Sequence, residues 1–390
     1  MNSLPRLAQA LSVLARGLVV ALVCGAPSAA QLAPDVSLTG DITHASVAAV
    51  DRALEWLAEH QNADGSWSGD IGYKLNQNYE VAASVVPHVG VTALAGLAFL
   101  AAGHLPGRGR YGDVIGRATD YLIGRINESG NITHNGSRMY SHAFATLFLA
   151  EVYGMTERYD MRDKLQRAID FIVDCQNEYG SWRYAPHAAE SDMSITVCQL
   201  NALRGARNVG IRVPKSTIDR AKEYIAESYV SGNGEKYLFE GYYQLGRGSF
   251  KYQTGTRNTR SSFALTAAGL AALHNAGVNG VHYESERVGD IDLEQSITFL
   301  RDHFSYVSGN SQYTFHYFYW YGHYYATQAL YVIGGEAWAW YYPIIRDEIV
   351  GAQRADGTFP CKAGPGEAFS TAVGAMILSL PYGYLPIFQR

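Results

Sequence analysis

One turn of fixed spacing recurs along the chain and constrains the fold more than any other feature. Its pattern is Gln-x-x-x-Gly-x-aromatic, and it is found at residues 61–67, 176–182, 353–359 and, more loosely, 244–250. Each copy lies between two segments whose apolar residues follow a helical pattern. A repeated turn between repeated elements indicates a repeat architecture, in which each unit buries its apolar face against its neighbours.

The segments on the two sides of these turns differ in their apolar pattern. In the first of them, Val50, Leu54 and Leu57 are spaced i, i+4 and i+7, which predicts a helix with one apolar face. Residues 91–102 contain almost no polar side chain, which predicts a helix that is buried on most faces. The repeating unit is therefore an amphipathic outer helix, a turn and a buried inner helix.

Six such hairpins can be placed on the sequence. An open solenoid would need polar capping repeats, but the first and last inner helices are as apolar as the others. We therefore expect an all-α fold of six helical hairpins in a closed (α/α)6 toroid, with the inner-helix starts around a central cavity. The predicted outer helices cover about residues 43–60, 113–125, 161–175, 216–228, 293–304 and 339–354, and the inner helices about 89–103, 139–153, 192–208, 261–277, 318–332 and 369–380.

The first thirty residues have the pattern of a secretory signal peptide. Arg6 and Arg16 supply positive charge, residues 17–24 form a short apolar run, and residues 28–30 form a small-residue cleavage site. That run is too short to cross a bilayer, which needs about 20 apolar residues. We expect an exported chain without a membrane span after cleavage, divided into a signal peptide at 1–30, a linker at 31–44 and a toroid domain at 45–390.

The turns resemble the Gln–Trp repeats of squalene and hopene cyclases, and the six-hairpin plan is similar to the α/α toroid of those terpene cyclases and of protein prenyltransferase β subunits. The resemblance covers about residues 45–385 and extends to exported bacterial prenyltransferase or squalene-oxidase repeat proteins. It implies that each turn Gln ties an outer helix to the start of a neighbouring inner helix, while the Trp packs beside it. That role is structural and not catalytic.

The catalytic motifs of those families are absent from the sequence. There is no Asp-x-Asp-Asp run, which carries the acid of the cyclases, and no Asp-Asp-x-x-Asp run, which holds magnesium and diphosphate. A prenyltransferase zinc site would need Asp192, Cys198 and His323, but the first two lie about 240° apart around one helix. We therefore expect no metal and no cofactor.

The fifth inner helix begins in a stretch of high aromatic density, residues 315–325. It is either a cavity wall whose rings stabilise a cation or stack on sugars, or aromatic packing inside the barrel. His316 and His323 share a helix face, and each is a candidate general acid or base or a hydrogen-bonded core histidine. The candidate ligand-binding residues here are Tyr317, Tyr319, Trp320 and Tyr324.

Polar side chains also stand at the starts of other inner helices. Asp192, at the third start, is either an N-cap or an acid of the cavity. At the second start, Tyr140 and His142 are candidate acid or base groups, and the alternative is rim hydrogen bonding. Further candidate ligand-binding residues are Arg257 and Arg260 at the fourth start, which would neutralise an anion, and Glu367 at the sixth, which otherwise favours its helix dipole.

Three functions remain open from the sequence. The first is a divergent terpene-cyclase or prenyltransferase-like protein that binds a hydrophobic, isoprenoid-like molecule in an aromatic cavity. The second is a glycan-active lyase or hydrolase on an (α/α)6 barrel, although a hydrolase needs two facing carboxylates and the rim offers mainly Asp192 and Glu367. The third is a non-catalytic binding or scaffold protein. The net charge of −5 without a basic cluster argues against a nucleic-acid partner.

Overall fold

The computed structural model describes residues 39–75, 78–232, 245–255, 259–307, 318–362 and 364–389. These residues are mostly helical and form two small antiparallel hairpins in addition. No helix among them is long and apolar enough to cross a membrane. The helices are α1 (His44–Glu59), α2 (Val89–Ala101), α3 (Gly112–Ile123), α4 (Met139–Met155), α5 (Arg162–Asp174), α6 (Met193–Asn208), α7 (Lys215–Ser228), α8 (Phe263–Asn275), α9 (Glu294–His303), α10 (Phe318–Ile333), α11 (Gly335–Ala352) and α12 (Glu367–Ser379).

The two helix types have the burial that their patterns predict. Every residue of α2 is buried, and nearly every residue of α8, because both present apolar side chains on all faces. In α3 and α5 the buried residues occupy one face, and charged residues occupy the other. Most helix limits agree with the predicted ones within about three residues; α11 begins at Gly335, four residues before its predicted start.

The even-numbered helices pack against one another in chain order. Helix α2 contacts α4, α4 contacts α6, α6 contacts α8, α8 contacts α10, and α10 contacts α12, which returns to contact α2. The odd-numbered helices pack against them: α1, α3, α5, α7 and α11 each contact the even-numbered helix that follows, and α9 contacts α8. The amino-terminal ends of all the even-numbered helices therefore meet around one region of the molecule.

The purely helical expectation was wrong for two connections. Strand β1 (Ser68–Leu75) pairs antiparallel with β2 (Asn78–Pro87) in the connection between α1 and α2, for which no strand was predicted. Its β-branched and aromatic residues favour extended backbone, but the irregular register between Gly69 and Gly72 hides the alternation from the sequence. A second, shorter hairpin joins β3 (His282–Ser285) to β4 (Gly289–Asp292) between α8 and α9.

The recurring turns join neighbouring hairpins. Gln176 Nε2 donates to the carbonyl of Gly180 in its own turn at 3.0 Å and to the carbonyl of Thr217 on α7 at 2.9 Å. Gly180 has a φ of +83°, and a Cβ there would lie 2.3 Å from the carbonyl oxygen of Arg220 on α7. The side chain of Gln61 likewise reaches Val114 on α3, and that of Gln353 reaches Ala49 on α1.

The turn glutamine thus has a different partner from the one that the family resemblance implies. It ties its turn to the next outer helix, not to a neighbouring inner helix. The turn tryptophan packs as implied, since Trp182 Nε1 donates to the carbonyl of Ile172 on the preceding outer helix at 2.7 Å. Gln244, which begins the looser fourth turn, lies outside the described residues.

Candidate functional site

A cavity of about 500 Å³ opens where the even-numbered helices begin. This volume falls in the range of small-molecule sites. Each of the six helices contributes to its wall, and the first hairpin adds Ile71 and Gly72. One wall residue from each helix, in order from α2 to α12, is Val91, Phe144, Ser194, Leu265, Trp320 and Val373.

Helix α10 supplies aromatic residues to the cavity wall, which is one of the two roles that the sequence left open for them. Trp320 and Tyr324 both line the cavity and are almost fully buried. Trp320 is held in place by a hydrogen bond from its Nε1 to the carbonyl of Pro360 at 2.9 Å. The ring of Phe144 on α4 meets Tyr324 edge to face across the cavity. Contacts with several elements therefore hold these rings in place.

A polar layer lies between α4, α6 and α8 on the same cavity. The hydroxyls of Tyr184 and Tyr252 are 2.8 Å apart, and both residues line the cavity. The carbonyl of Tyr184 accepts from the first N–H of α4, and that of Tyr252 accepts from the first N–H of α6. Arg260 lies 4.7 Å from the centre of the Tyr252 ring, which places its guanidinium in cation–π contact.

Asp192 lies behind this polar layer and is fully buried. It is the N-cap of α6, and its Oδ1 accepts from the backbone N–H and the hydroxyl of Ser194. Its Oδ2 has no hydrogen-bond partner among the described residues. Burial raises the pKa of Asp192, and the hydroxyls of Ser194, Tyr252 and Tyr184 partly offset this effect. The carboxyl therefore serves as an N-cap, and the hydroxyls of Tyr184 and Tyr252 lie close enough to influence it.

The tyrosines around the cavity are poor bases. Burial raises the pKa of Tyr184 to about 12 and raises the pKa of Tyr252 further, with the nearby Asp192 adding to the rise in both. The pKa of Tyr140, which also lines the cavity, is well above its ordinary value for the same main reason, burial. These phenols are neutral hydrogen-bonding groups at physiological pH.

His142 and His323 occupy the core and not the cavity wall. His142 Nδ1 accepts from the N–H of Ile132 at 3.0 Å, and its Nε2 donates to the carbonyl of Ala168 at 3.1 Å. His323 Nδ1 accepts from the hydroxyl of Tyr341 at 2.9 Å, and its Nε2 donates to a backbone carbonyl. Burial lowers the pKa of each to about 4, so both rings are neutral and fully hydrogen-bonded.

The remaining candidates are spread over different environments. Tyr319 is buried in an aromatic cluster with Trp320 and His323 and does not line the cavity. Glu367 starts α12 and forms an exposed ion pair with Arg354. His316, Tyr317 and Arg257 lie outside the described residues. Of the predicted site residues, the structure therefore brings Tyr140, Trp320, Tyr324 and Arg260 together on one cavity.

Several cavity residues were not predicted from the sequence, although a signal for two of them exists. Tyr184 and Tyr252 each stand two positions after the aromatic residue of a turn, Trp182 and Phe250. In these two turns the position lines the cavity, whereas its equivalents Gly69 and Cys361 in the first and last turns are not part of the described lining. Arg138, Arg183, Tyr321 and Tyr325 also line it. In the part of the chain that the structure describes, no cluster of three His, Cys, Asp or Glu could hold a metal ion.

Comparison with solved structures relates this geometry to known proteins. Type II terpene cyclase MstE from Scytonema, in complex with geranylgeranyl dihydroxybenzoate, superposes with a TM-score of 0.56 over 87% of this chain and 98% of its own, at 12% identity. An inactive variant of an α-1,6-mannanase from Salegentibacter sp., in complex with α-1,6-mannotriose, gives 0.57 over 87% and 99%, at 8% identity. An α-amylase from Clostridium perfringens gives 0.55 over 85% and 97%, at 10% identity.

These likenesses establish a shared fold. No family model matches the chain, and no curated protein matches it by sequence. The fold is common to a terpene cyclase and to glycan-active enzymes, so the function must be argued from the cavity itself.

Proposed function

We propose that the chain is a closed (α/α)6 toroid of six hairpins whose central cavity binds a hydrophobic, isoprenoid-like small molecule. The closed arrangement is supported by the contact of α12 with α2 and by the turn at Gln353, which reaches α1. We also propose that the protein is exported, on the basis of the signal-like residues 1–30.

The observation that carries the proposal is the lining of the cavity. Its described wall combines aliphatic and aromatic side chains from five inner helices with Ser194 of α6; it includes Arg138, Arg183 and Arg260 but contains no aspartate or glutamate. A mostly apolar cavity of about 500 Å³ binds a ligand chiefly by removing the apolar surface of the ligand from water. The aromatic faces of Trp320 and Tyr324 would also stabilise the positive charge that forms on a polyene when it is protonated.

A proton-initiated reaction in this cavity would use Asp192 as its acid. The raised pKa of Asp192 favours the protonated form more than an exposed aspartate would. Asp192 does not itself line the cavity, whereas Tyr184 and Tyr252 do, so its proton would pass to the ligand through the hydroxyl of one of these tyrosines, which would take up the carboxyl proton as it releases its own. We therefore assign binding to the aromatic wall and the acid role to Asp192.

A glycan-active enzyme is the second candidate, because the mannanase and the amylase share the fold. A glycoside hydrolase normally needs two carboxyl groups about 5–10 Å apart at the sugar, and the described lining holds none. A lyase would need a phenolic or imidazole base, but burial raises the pKa values of Tyr184 and Tyr140. His88 is the histidine of the described lining; its Nδ1 accepts from the N–H of Val91, and burial lowers its pKa to about 4. The lining thus favours a hydrophobic ligand.

The proposal is tested by filling the cavity. Leu94 is buried in its wall on α2, so Leu94→Trp should insert an indole into the ligand space. The matched control is Leu105→Trp, at a position where the side chain is 42% exposed. Native mass spectrometry with geranylgeraniol and with α-1,6-mannotriose should show that the wild type and the control bind the prenol, while Leu94→Trp does not.

Thermal unfolding of each variant would show whether it is folded. Binding of the mannotriose and not of the prenol by the wild type would reject the proposal in favour of the glycan-active alternative. Binding of neither molecule would favour the third possibility, a scaffold without a small-molecule ligand. Equal prenol binding by wild type and Leu94→Trp would place the ligand outside this cavity.

A further inference from the structure

Three arginines lie in the wall of the cavity and come from three different segments of the chain. Arg138 directly precedes α4, Arg183 directly follows the turn at 176–182, and Arg260 precedes α8. The described lining contains no aspartate or glutamate that would balance their charges. This part of the cavity wall therefore attracts negative charge.

The guanidinium groups of the three arginines gather around one pair of tyrosines. The Cζ atom of Arg260 lies 4.7 Å from the centre of the Tyr252 ring. The Cζ atoms of Arg138 and Arg183 lie 5.8 and 6.0 Å from the centre of the Tyr184 ring. The hydroxyls of the two tyrosines are 2.8 Å apart, and both residues line the cavity. The three cations therefore belong to one region of the wall.

Backbone hydrogen bonds fix this region to the inner helices. The N–H of Met139, the first residue of α4, donates to the carbonyl of Tyr184 at 3.1 Å, and the N–H of Tyr252 donates to the carbonyl of Arg260 at 2.7 Å. Within the described part of the chain, no side chain caps α4 at its N-cap residue, Arg138. The positive end of the α4 dipole therefore adds to the charge of the arginines.

The charged region and the apolar wall lie at different depths. Arg138 is exposed, and Arg183 and Arg260 are half-buried, so solvent can reach this region. Leu94 and Tyr324, in contrast, are buried more than one helical turn inside α2 and α10. A ligand with one charged end could therefore keep that end hydrated beside the arginines and bury its apolar chain further inside.

We propose that the molecule bound in the cavity carries an anionic oxygen group, a carboxylate or a phosphate, at the end of its apolar chain, and that Arg138, Arg183 and Arg260 bind this group. A guanidinium pairs with either anion through two parallel hydrogen bonds. The inference rests on the proposed function and narrows it from any hydrophobic molecule to an acidic, amphipathic isoprenoid.

The test compares probes that share one isoprenoid chain and differ in the end group. Geranylgeranoic acid carries a carboxylate, geranylgeranyl monophosphate a phosphate and geranylgeraniol a neutral hydroxyl. The whole protein is titrated with each probe at low and at high salt, as the wild type, Arg138→Gln, Arg183→Gln and Arg260→Gln. The control is Arg125→Gln, which removes a half-buried arginine that lies 4.8 Å from a tyrosine ring outside the described lining.

The wild type should bind at least one of the two anions about tenfold or more tightly than the alcohol, because charge-assisted hydrogen bonds add to the apolar contacts. High salt should reduce this preference, since the arginines are accessible to solvent. Each substitution in the cavity should reduce the preference by about threefold to tenfold and leave the affinity for the alcohol unchanged. Arg125→Gln should keep the wild-type preference.

Tighter binding of the acid than of the monophosphate would identify a carboxylate as the bound group, and the reverse order would identify a phosphate. Equal affinities for the alcohol and both anions, or a preference that none of the three cavity substitutions reduces more than Arg125→Gln does, would overturn the inference while the hydrophobic site stands. Binding of no probe by the wild type would overturn the proposed function as well. Circular dichroism would show that each variant is folded, and three independent single variants keep the test decisive if one of them does not fold.

Discussion

Glu151 offers a quantitative test of how burial in this fold shifts the pKa of a carboxyl group. It lies on α4 with 3% of its surface exposed, close to Ile387 of the carboxy-terminal segment. Burial raises the pKa of Glu151 from 4.5 to about 7, although the backbone of Ile387 and the charge of Arg204 partly offset this. The folded chain therefore holds a proton on Glu151 at pH values where the unfolded chain has released it.

The direction of the effect follows from linkage. Because the folded pKa is above the unfolded one, the associated stability is fully present below about pH 4.5 and is lost as the pH rises to about 7. A shift of about 2.5 pKa units corresponds to about 3 kcal/mol at the full extent of this loss. Between about pH 5 and pH 8 the loss is about 2.5 kcal/mol.

The perturbation is Glu151→Gln, which keeps the shape of the side chain and removes its titration. We would measure the free energy of unfolding in urea for both proteins at several values between about pH 5 and pH 8. The variant minus wild-type difference should increase by about 2.5 kcal/mol toward higher pH. Buried neutral histidines, such as His142 and His323, affect both proteins alike and cancel in the difference. Glu128→Gln, at an exposed position, controls for the loss of one carboxylate.

A difference that does not change with pH would refute the reasoning, because it would mean that Glu151 releases its proton equally in both states. A difference that falls with rising pH would mean that Arg204 outweighs burial and that the folded pKa is lowered. Either result would require a more solvated or more strongly paired Glu151 than its 3% exposure indicates.

Two further predictions concern a turn and the proposed acid. Gly180→Ala should destabilise the fold by about 2–4 kcal/mol, because its Cβ would meet the α7 backbone. The control Gly210→Ala has a similar φ but open space around it and should cost only about 1 kcal/mol. Equal losses of the free energy of unfolding in urea would contradict this packing argument. Asp192→Asn should unfold at the same temperature as the wild type, since Asn also caps helices. The variant should, however, lose turnover of a prenyl substrate. Unchanged turnover would exclude Asp192 as the acid.

The helices could be predicted because their signal is long and periodic. The apolar run of α2 and the one-sided pattern of α1 each extend over several turns of helix, and tertiary packing reinforces them. The β1–β2 hairpin could not be predicted, since its irregular register breaks the period of two on which strand recognition depends.

The site was predictable only in part. The aromatic wall of α10 follows from its density in the sequence, but the sequence does not tell which rings face the cavity: Trp320 does, while the adjacent Tyr319 faces the core. That distinction depends on where α10 sits between α8 and α12. The Tyr184–Tyr252 pair unites residues 68 positions apart, and only the shared turn register connects them.

A buried threonine in each inner helix explains the role of His142. Thr92 and Thr371 accept the backbone N–H of the turn aromatics Trp67 and Phe359. In the second hairpin Ile132 takes the place of the aromatic residue, and its N–H is accepted by His142. The hydroxyl of Thr146, the equivalent threonine, has no partner among the described residues. His142 thus replaces the threonine as the acceptor.

His142, Asp192 and His323 occupy one register, four residues before the inner-helix threonines Thr146, Thr196 and Thr327. This position faces the preceding turn, so its side chain is first of all a hydrogen-bonding partner for local backbone. Both histidines commit both ring nitrogens to that role. Asp192 commits only Oδ1 and keeps Oδ2 beside the tyrosine pair, without a hydrogen bond among the described residues. Of these three side chains, that of Asp192 is therefore the one that we propose for proton transfer.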